Sequence, residues 1–309
     1  MTRPTTNLLP PNEARHESGR PRILFAVYEA NRPGNALRRA LTLARALDAE
    51  LFVLCVVGGH TAVHPLFPEQ NMFDAVRDVE RTLRCQRDAR AWVERVLGED
   101  LPAERLELRI GAFVGETARH AEELGAALIV IGPHDGPFGS MVTRLAQISS
   151  TPVLVARPSI GGPAIVAGTD MSDDGFPVLR LAATFASQLD APLVAVHNED
   201  STGAGGGWLT WGSSVRSDAD VSDAARRLSL ACVRLGVASE AVVSNEVTAV
   251  RALLREARRR DADMVVVGAH RHSWFERLLG GGVAARVIDG ASRSVLVAPF
   301  AERLAATGS

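Results

Sequence analysis

Short apolar runs rich in β-branched residues alternate along this chain with longer stretches in which apolar positions recur every three or four residues. These are the signatures of buried strands and amphipathic helices. The first run, Ile23-Leu-Phe-Ala-Val27, gives way to a polar turn from Glu29 to Asn35, and then to a segment in which Leu37, Ala40, Leu41, Ala44 and Leu47 share a helical face. Leu51 to Val57 is a second run, so the opening predicts strand, helix, strand, a βαβ unit. An irregular stretch holding Leu66, Phe67 and Phe73 precedes a predicted helix over 75–97, with Val76, Val79, Leu83, Val93 and Val96 near one face. There follow a strand from Leu106 to Ile110, a helix around Glu116 to Leu124 stopped by Gly125, a strand from Ala127 to Ile131, a helix near Val142 to Ile148 and the run Val153-Leu-Val155.

From Pro163 the same order begins again. Ile165-Val-Ala-Gly-Thr169 and Asp170 lead to predicted helices at Val178–Leu189, Asp223–Leu235, Val247–Arg260 and Val283–Ile288, separated by the runs Leu193–Val196, Ala241–Ser244 and Met264–Val267 and closed by Val295-Leu-Val297. Thr169, Gly281 and Ser294 lie 142 positions after Val27, Gly139 and Pro152, whereas Gly268 lies 136 after Gly132. The chain therefore reads as a duplication in which the first copy has lost six residues between its fourth strand and last helix. Strands alternating with helices predict an α/β fold with a parallel, doubly wound sheet in each copy. The expected domains are 22–158 and 163–300, and the polar, Pro-containing segment 1–21 is expected to be a disordered tail.

Length agrees, since 309 residues suit two domains better than one. Hydrophobic residues at 46% and charged ones at 23% are ordinary for globular proteins. With 34 basic against 36 acidic residues, no global field attracts nucleic acid or an anionic membrane. All 34 basic residues are arginine, which excludes chemistry that requires lysine: P-loop and protein-kinase phosphate contacts, and Schiff-base catalysis. Cys55, Cys85 and Cys232 are far apart and offer neither a zinc cluster nor a disulfide framework. No apolar run reaches the roughly 18 to 20 residues of a membrane span, and the N-terminus lacks a signal-peptide core, so a cytoplasmic protein is expected.

In open α/β sheets ligands bind beyond the carboxyl ends of the strands where strand order reverses. There the second copy carries Asp170 after its first strand, Gly268-Ala-His270-Arg271 after its fourth, and Gly280-Gly281-Gly282 before the helix opening at Val283. Glycines let backbone approach an oxyanion, and the helix N-terminus supplies free N–H donors and positive partial charge. That is a phosphate cradle built without lysine. These residues, with Leu278-Leu-Gly-Gly-Gly282, Val283-Ala-Ala-Arg-Val-Ile288, Ser294-Val-Leu-Val297 and the duplication itself, resemble the universal stress protein family in its tandem two-domain form, over about residues 22 to 299. The resemblance implies two Rossmann-like domains of the adenine nucleotide alpha hydrolase-like kind, each a five-stranded parallel sheet flanked by helices. It also implies ATP as ligand, with magnesium, and an intramolecular pseudo-dimer through the closing strands Val153–Val155 and Val295–Val297, with further homodimerisation.

Nucleotide-binding members of that family show Gly-x2-Gly-x9-Gly-(Ser/Thr) after the fourth strand and an Asp after the first. Carried over, Asp170 serves the adenosine end, Gly268 opens the motif, Gly281 is its late glycine, and Val283 and Ala284 offer backbone donors to phosphate. The chain departs at Arg271, which replaces the second glycine and either clamps phosphate or obstructs the backbone approach, and at Gly282, which replaces the Ser or Thr. His270 is expected to hydrogen-bond within the loop or touch ligand. The first copy keeps Gly132, Gly139 and Ser140, but Tyr28 stands at the Asp position and Asp135 at the second glycine, so a structural role is expected for it.

Other features read blandly. His60 with His64, and His270 with His272, lack further ligands at suggestive spacing, so no metal site is expected. Gly203-Ala-Gly-Gly-Gly207 does not open a helix and reads as a linker; Trp208 and Trp211 pack on their own domain or form a docking surface. Arg258-Arg-Arg260 is a solvated helix terminus. The leading expectation is a cytosolic stress-response regulator that binds an adenine nucleotide through its second copy. The alternative is a nucleotide-free module with a decayed site and an unidentified protein partner. A slow ATPase is the weakest reading, because no nucleophile with a paired base is visible.

Overall fold

The β-branched and aromatic side chains of Ile23 to Val27 favour extended backbone, and in the computed structural model all five are buried inside β1 (Arg22–Tyr28). The structure describes residues 19–29, 31–58, 68–133, 138–159, 161–171, 177–199, 218–236, 239–269 and 282–299, without the side chains of 68–79 and 218–221. After β1 come α1 (Gly34–Ala46), β2 (Glu50–Val57), α2 (Pro68–Leu97), β3 (Leu106–Ile110), α3 (Phe113–Leu124), β4 (Leu128–Ile131), α4 (Phe138–Ile148) and β5 (Val153–Val155). The second copy supplies β6 (Ile165–Thr169), α5 (Pro177–Gln188), β7 (Leu193–Asn198), α6 (Asp218–Leu235), β8 (Ser239–Ser244), α7 (Ala249–Arg259), β9 (Met264–Gly268), α8 (Val283–Gly290) and β10 (Ser294–Ala298).

By contacts the described chain divides into two units. One holds residues 19–133 and 153–157, the other 138–152 and 158–299, so α4 belongs with the second copy's elements. In the first unit the strands run parallel in the order β3-β2-β1-β4-β5, with Arg22 to Tyr28 paired against Glu50 to Val56 and Ile23 to Ala26 against Leu128 to Ile131. In the second the order is β10-β9-β6-β7-β8, again parallel throughout. Each unit is thus the expected five-stranded parallel sheet with helices packed on it. Sequential strands proceed outward from β1 or β6 and then return to its other side, so strand order reverses between β1 and β4 and between β6 and β9.

Helix limits show where local patterning misleads. The helix expected over 75–97 begins at Pro68 and takes in Phe73, which the sequence reading placed in an irregular stretch. Proline suits a first helical turn, where its missing N–H has no acceptor to lose. Leu66 and Phe67 lie outside the described residues. α4 likewise begins at Phe138, before the expected Val142, and draws Gly139 and Ser140 into its first turn. Gly125 does stop α3: it adopts φ 64°, and its N–H reaches the carbonyls of Ala121 and Glu122. The segment expected to be helical from Val247 begins at Ala249, because the side chain of Thr248 accepts the Arg251 N–H and caps the helix there.

Candidate functional site

The second copy's candidate site comprises residues at the ends of β6 and β9 and the start of α8. β6 approaches it through Gly168, where a Cβ would lie 2.9 Å from Leu253 Cδ1; the missing side chain lets α7 pack against the strand end. Just beyond the strand the Thr169 hydroxyl accepts the Met171 N–H at 3.0 Å, and Met171 turns into the left-handed region at φ 56°. Asp170 therefore sits inside a short, specified turn. The β6–β9 ladder ends with Ala167 opposite Val266, and that register, continued, sets Thr169 and Asp170 across from Gly268 and Ala269. Gly268 closes β9, half-buried, and the Ala269 N–H donates to the Ala298 carbonyl.

α8 is the next described element after β9. Gly282 is its N-cap, extended at φ −62° and ψ −179°, and among the described residues no side chain caps the helix. The N–H groups of Val283, Ala284 and Ala285 have no acceptor within the helix and carry the positive end of its dipole. Val283 is at the surface and Ala284 is buried. His270, Arg271 and Gly281 lie outside the described residues, as do His60, His64, His272, Trp208 and Trp211. Five of the expected site residues, Asp170, Gly268, Gly282, Val283 and Ala284, lie within the described residues, at the ends of β6 and β9 and the start of α8.

In the first copy the chain packs on the corresponding strand ends. Tyr28 stands where the second copy has Asp170, and its hydroxyl lies over Gly58 so closely that no Cβ would fit there. The Glu29 N–H donates to the Val56 carbonyl, while its carboxylate pairs with the Arg81 guanidinium and accepts from the Cys85 thiol at 3.4 Å. Asn31 donates to the Pro133 carbonyl at 3.3 Å, which ties the loop after β1 to the end of β4. Pro33 and Ala36 rest on Gly132, whose hydrogen stands where a Cβ would overlap the proline ring. Burial pushes the nearby Cys55 thiol up to about 11, which keeps it protonated and inert.

Gly139 also has a packing role that its place in the glycine pattern did not reveal. A Cβ there would collide with the backbone of Ala285, so the glycine permits the close crossing of α4 and α8. Its N–H donates to the Asp289 carboxylate of α8 at 2.8 Å, and that carboxylate sits at the start of α4. Nothing in local spacing could have found Asp289, which is 150 residues away in the chain. Among the described residues no group of three or more His, Cys, Asp or Glu is disposed to hold a metal ion, and no helix is long and apolar enough to cross a membrane.

A tandem pair of parallel α/β units defines the class. The sequence profile of the universal stress protein family matches twice, over residues 19–157 and 163–299. The chain belongs to that family, in two copies. Among solved structures it is similar to a universal stress protein from Archaeoglobus fulgidus, at 14% identity over 90% of this chain and 96% of that one, with a TM-score of 0.60. A functionally unknown protein from Pseudomonas aeruginosa matches at 18% identity over 92% and 94% of the two chains, TM-score 0.54. Both likenesses concern the fold. A universal stress protein from Archaeoglobus fulgidus in complex with dAMP matches at 24% identity over 45% of this chain and 98% of that one; its TM-score of 0.33 carries no argument about this chain's ligand. A comparison with curated proteins finds no match.

Proposed function

We propose that the protein is a stress-response regulator that works in the cytoplasm and binds ATP, with magnesium, or a related adenine nucleotide through its second copy. The observation that carries the reading is the N-terminus of α8 at Gly282, without a side-chain cap among the described residues, in the helix that follows β9, the strand at which order reverses beside β6. Asp170 takes the adenosine end and the N–H groups of Val283 and Ala284 take phosphate, with Gly268, His270, Arg271 and Gly281 lining the loop between. Membership of the family supports the reading. So does the contrast between copies, since Tyr28 stands in the first copy where the second has Asp170. Nucleotide then acts as a conformational signal to an unidentified protein partner, and the chain can pair as a homodimer.

Calorimetric titration of nucleotide-stripped protein with Mg-ATP tests this, and about one site per chain is expected. Gly282→Asp separates binding from folding. Its backbone suits aspartate, which is an N-cap at least as good as glycine, so thermal stability should hold or rise by a few tenths of a kcal/mol. Its carboxylate would stand where phosphate belongs, and ATP affinity should fall at least tenfold. Unchanged affinity in that variant, or no saturable binding by the parent at millimolar ATP, refutes the assignment and turns the search toward partners of a nucleotide-free module.

A further inference from the structure

β3 is the outermost strand of the first unit, and among the described residues it pairs with β2 alone. None of its residues is fully buried, and Ile110 is 50% exposed. An edge strand offers its outward N–H and C=O groups to another strand, and the register shows which residues carry them. The Gly111 N–H donates to the Val57 carbonyl at 2.9 Å. In a parallel ladder, residues that bond to one neighbour alternate with residues that bond away from it. Glu107 and Arg109 therefore bond to β2 as Gly111 does, while Leu106, Leu108 and Ile110 direct their backbone groups outward. The side chains divide in the same way. Glu107 and Arg109 lie on the α3 face, where Arg109 Nε donates to Glu107 Oε1 at 2.6 Å, Arg109 Nη2 pairs with Glu123, and Glu107 Oε2 stands 3.4 Å from His120 Nδ1. Leu106, Leu108 and Ile110 lie on the opposite face.

We infer that β3 is a self-pairing edge, through which two molecules of this chain join as antiparallel strands about a twofold axis at Leu108. The run Leu106-Glu-Leu-Arg-Ile110 is self-complementary about that residue. On the axis Leu108 exchanges both backbone hydrogen bonds with Leu108 of the partner subunit, and Leu106 does the same with the partner subunit's Ile110. Glu107 then falls opposite Arg109 of the partner subunit, at a non-hydrogen-bonded position where Cα atoms stand about 4.5 Å apart and side chains are closest. Arg109 uses Nε and Nη2 on Glu107 and Glu123, which leaves Nη1 for the partner subunit's Glu107, so that acids and arginines alternate around one ring. The exposed side chain of Ile110 is covered by the partner's Leu106. A twofold contact closes on itself and ends at a dimer. β8, the corresponding edge of the second unit, lacks this symmetry. Its charged residue, Glu240, is paired with Arg260, and across a twofold axis at Ala241 or Val242 it would meet Val242 or Ser244, not a base. The inference rests on the homodimer of the proposed function, gives it an interface, and is independent of nucleotide binding.

Sedimentation equilibrium of the full chain across the micromolar range tests this, because a short strand pair buries less area than a tight interface does. Glu107→Arg and Arg109→Glu each set like charges opposite one another on both sides of the axis. Each should weaken self-association at least about tenfold, the effect of turning favourable cross-strand pairs into unfavourable ones. An equal mixture of the two variants restores acid opposite base in both pairs, so a heterodimer should form at least about tenfold more tightly than either variant pairs with itself. A purely structural role for these side chains predicts no such rescue. Circular dichroism and a thermal melt verify that each variant is folded. Should one fail to fold, amide hydrogen exchange on the parent decides: raising the protein concentration should slow exchange at Leu106, Leu108 and Ile110 and leave Glu107 and Arg109, already bonded to β2, unchanged. Exchange at Leu106, Leu108 and Ile110 that ignores concentration overturns the inference. A parent that stays monomeric overturns it together with the homodimer. Self-association that both variants retain, or a mixture no tighter than its components, overturns the β3 interface and leaves the homodimer and nucleotide binding standing.

Discussion

The packing role of Gly139 leads to an unusually clean test, because the same substitution made elsewhere should have the opposite sign. Gly139 and Gly115 both lie in the first turns of helices, α4 and α3, so replacing either with alanine gains the same backbone term, up to about 1 kcal/mol. At Gly115 a Cβ meets nothing within 4 Å, and Gly115→Ala should stabilise the protein by roughly that amount. At Gly139 the new methyl would overlap the carbonyl and Cα of Ala285, which are backbone atoms in a helix and cannot swing aside. Forced separation of α4 and α8 costs about 1 to 3 kcal/mol, and the Gly139 N–H loses its bond to the Asp289 carboxylate, a charge-assisted contact worth about 1.5 to 3 kcal/mol when fully made. Asp289 is exposed, which reduces the second contribution. After the alanine gain is subtracted, Gly139→Ala should destabilise by roughly 2 to 3 kcal/mol, or about 4 to 12 °C in melting temperature for a unit of this size. Urea titration followed by circular dichroism, with a thermal melt, measures both variants. If Gly139→Ala matches Gly115→Ala in sign, the close crossing of α4 and α8 is not what the glycine is for.

Two further outcomes follow from single groups. His120, on α3, is buried with its Nδ1 3.4 Å from Glu107 Oε2 and 3.9 Å from Glu123 Oε2, yet burial outweighs both carboxylates and holds its pKa below the ordinary imidazole range. Arg109 explains why: it already pairs with both acids, and through that contact it also lowers the Glu123 carboxyl. The unfolded chain therefore takes up this proton first as pH falls, so stability should decline from just above the free-imidazole value of about 6.5 down to the lowered folded value. His120→Gln should flatten that part of the curve of urea midpoint against pH, and parallel curves for the two proteins would exclude the assignment. Thr248→Ala removes the side-chain acceptor at the start of α7 and should cost about 1 kcal/mol in the same urea experiment, whereas Thr248→Ser should cost little.

Much of the fold was legible because it depends on neighbours a few residues apart. The apolar face of α1, the buried run of β1 and the left-handed stop at Gly125 each express a local rule, and the alternation of strands with helices implies a parallel sheet without reference to any distant contact. The duplication was legible for another reason: a repeated core repeats its apolar spacing, so the offset of 142 survives although few residues are identical. The candidate site was legible only as a pattern of residue types. Asp170, Gly268 and Gly282 fall at strand and helix ends because turns and caps restrict which residues can stand there, and the reversal of strand order then gathers those ends on one edge.

Tertiary structure alone decided what the same types do in the other copy. Gly132 and Gly139 match the glycine pattern equally well, but one lies under Pro33 and the other against Ala285, and a missing side chain serves close packing as readily as it serves a phosphate. The start of α2 at Pro68 was equally invisible, since Phe73 fits a helix or a loop and its one-dimensional surroundings do not choose. Local propensity and period therefore specified which elements form, while the assignment of each glycine and each polar tip to packing or to binding had to wait for partners that only the folded chain brings within reach.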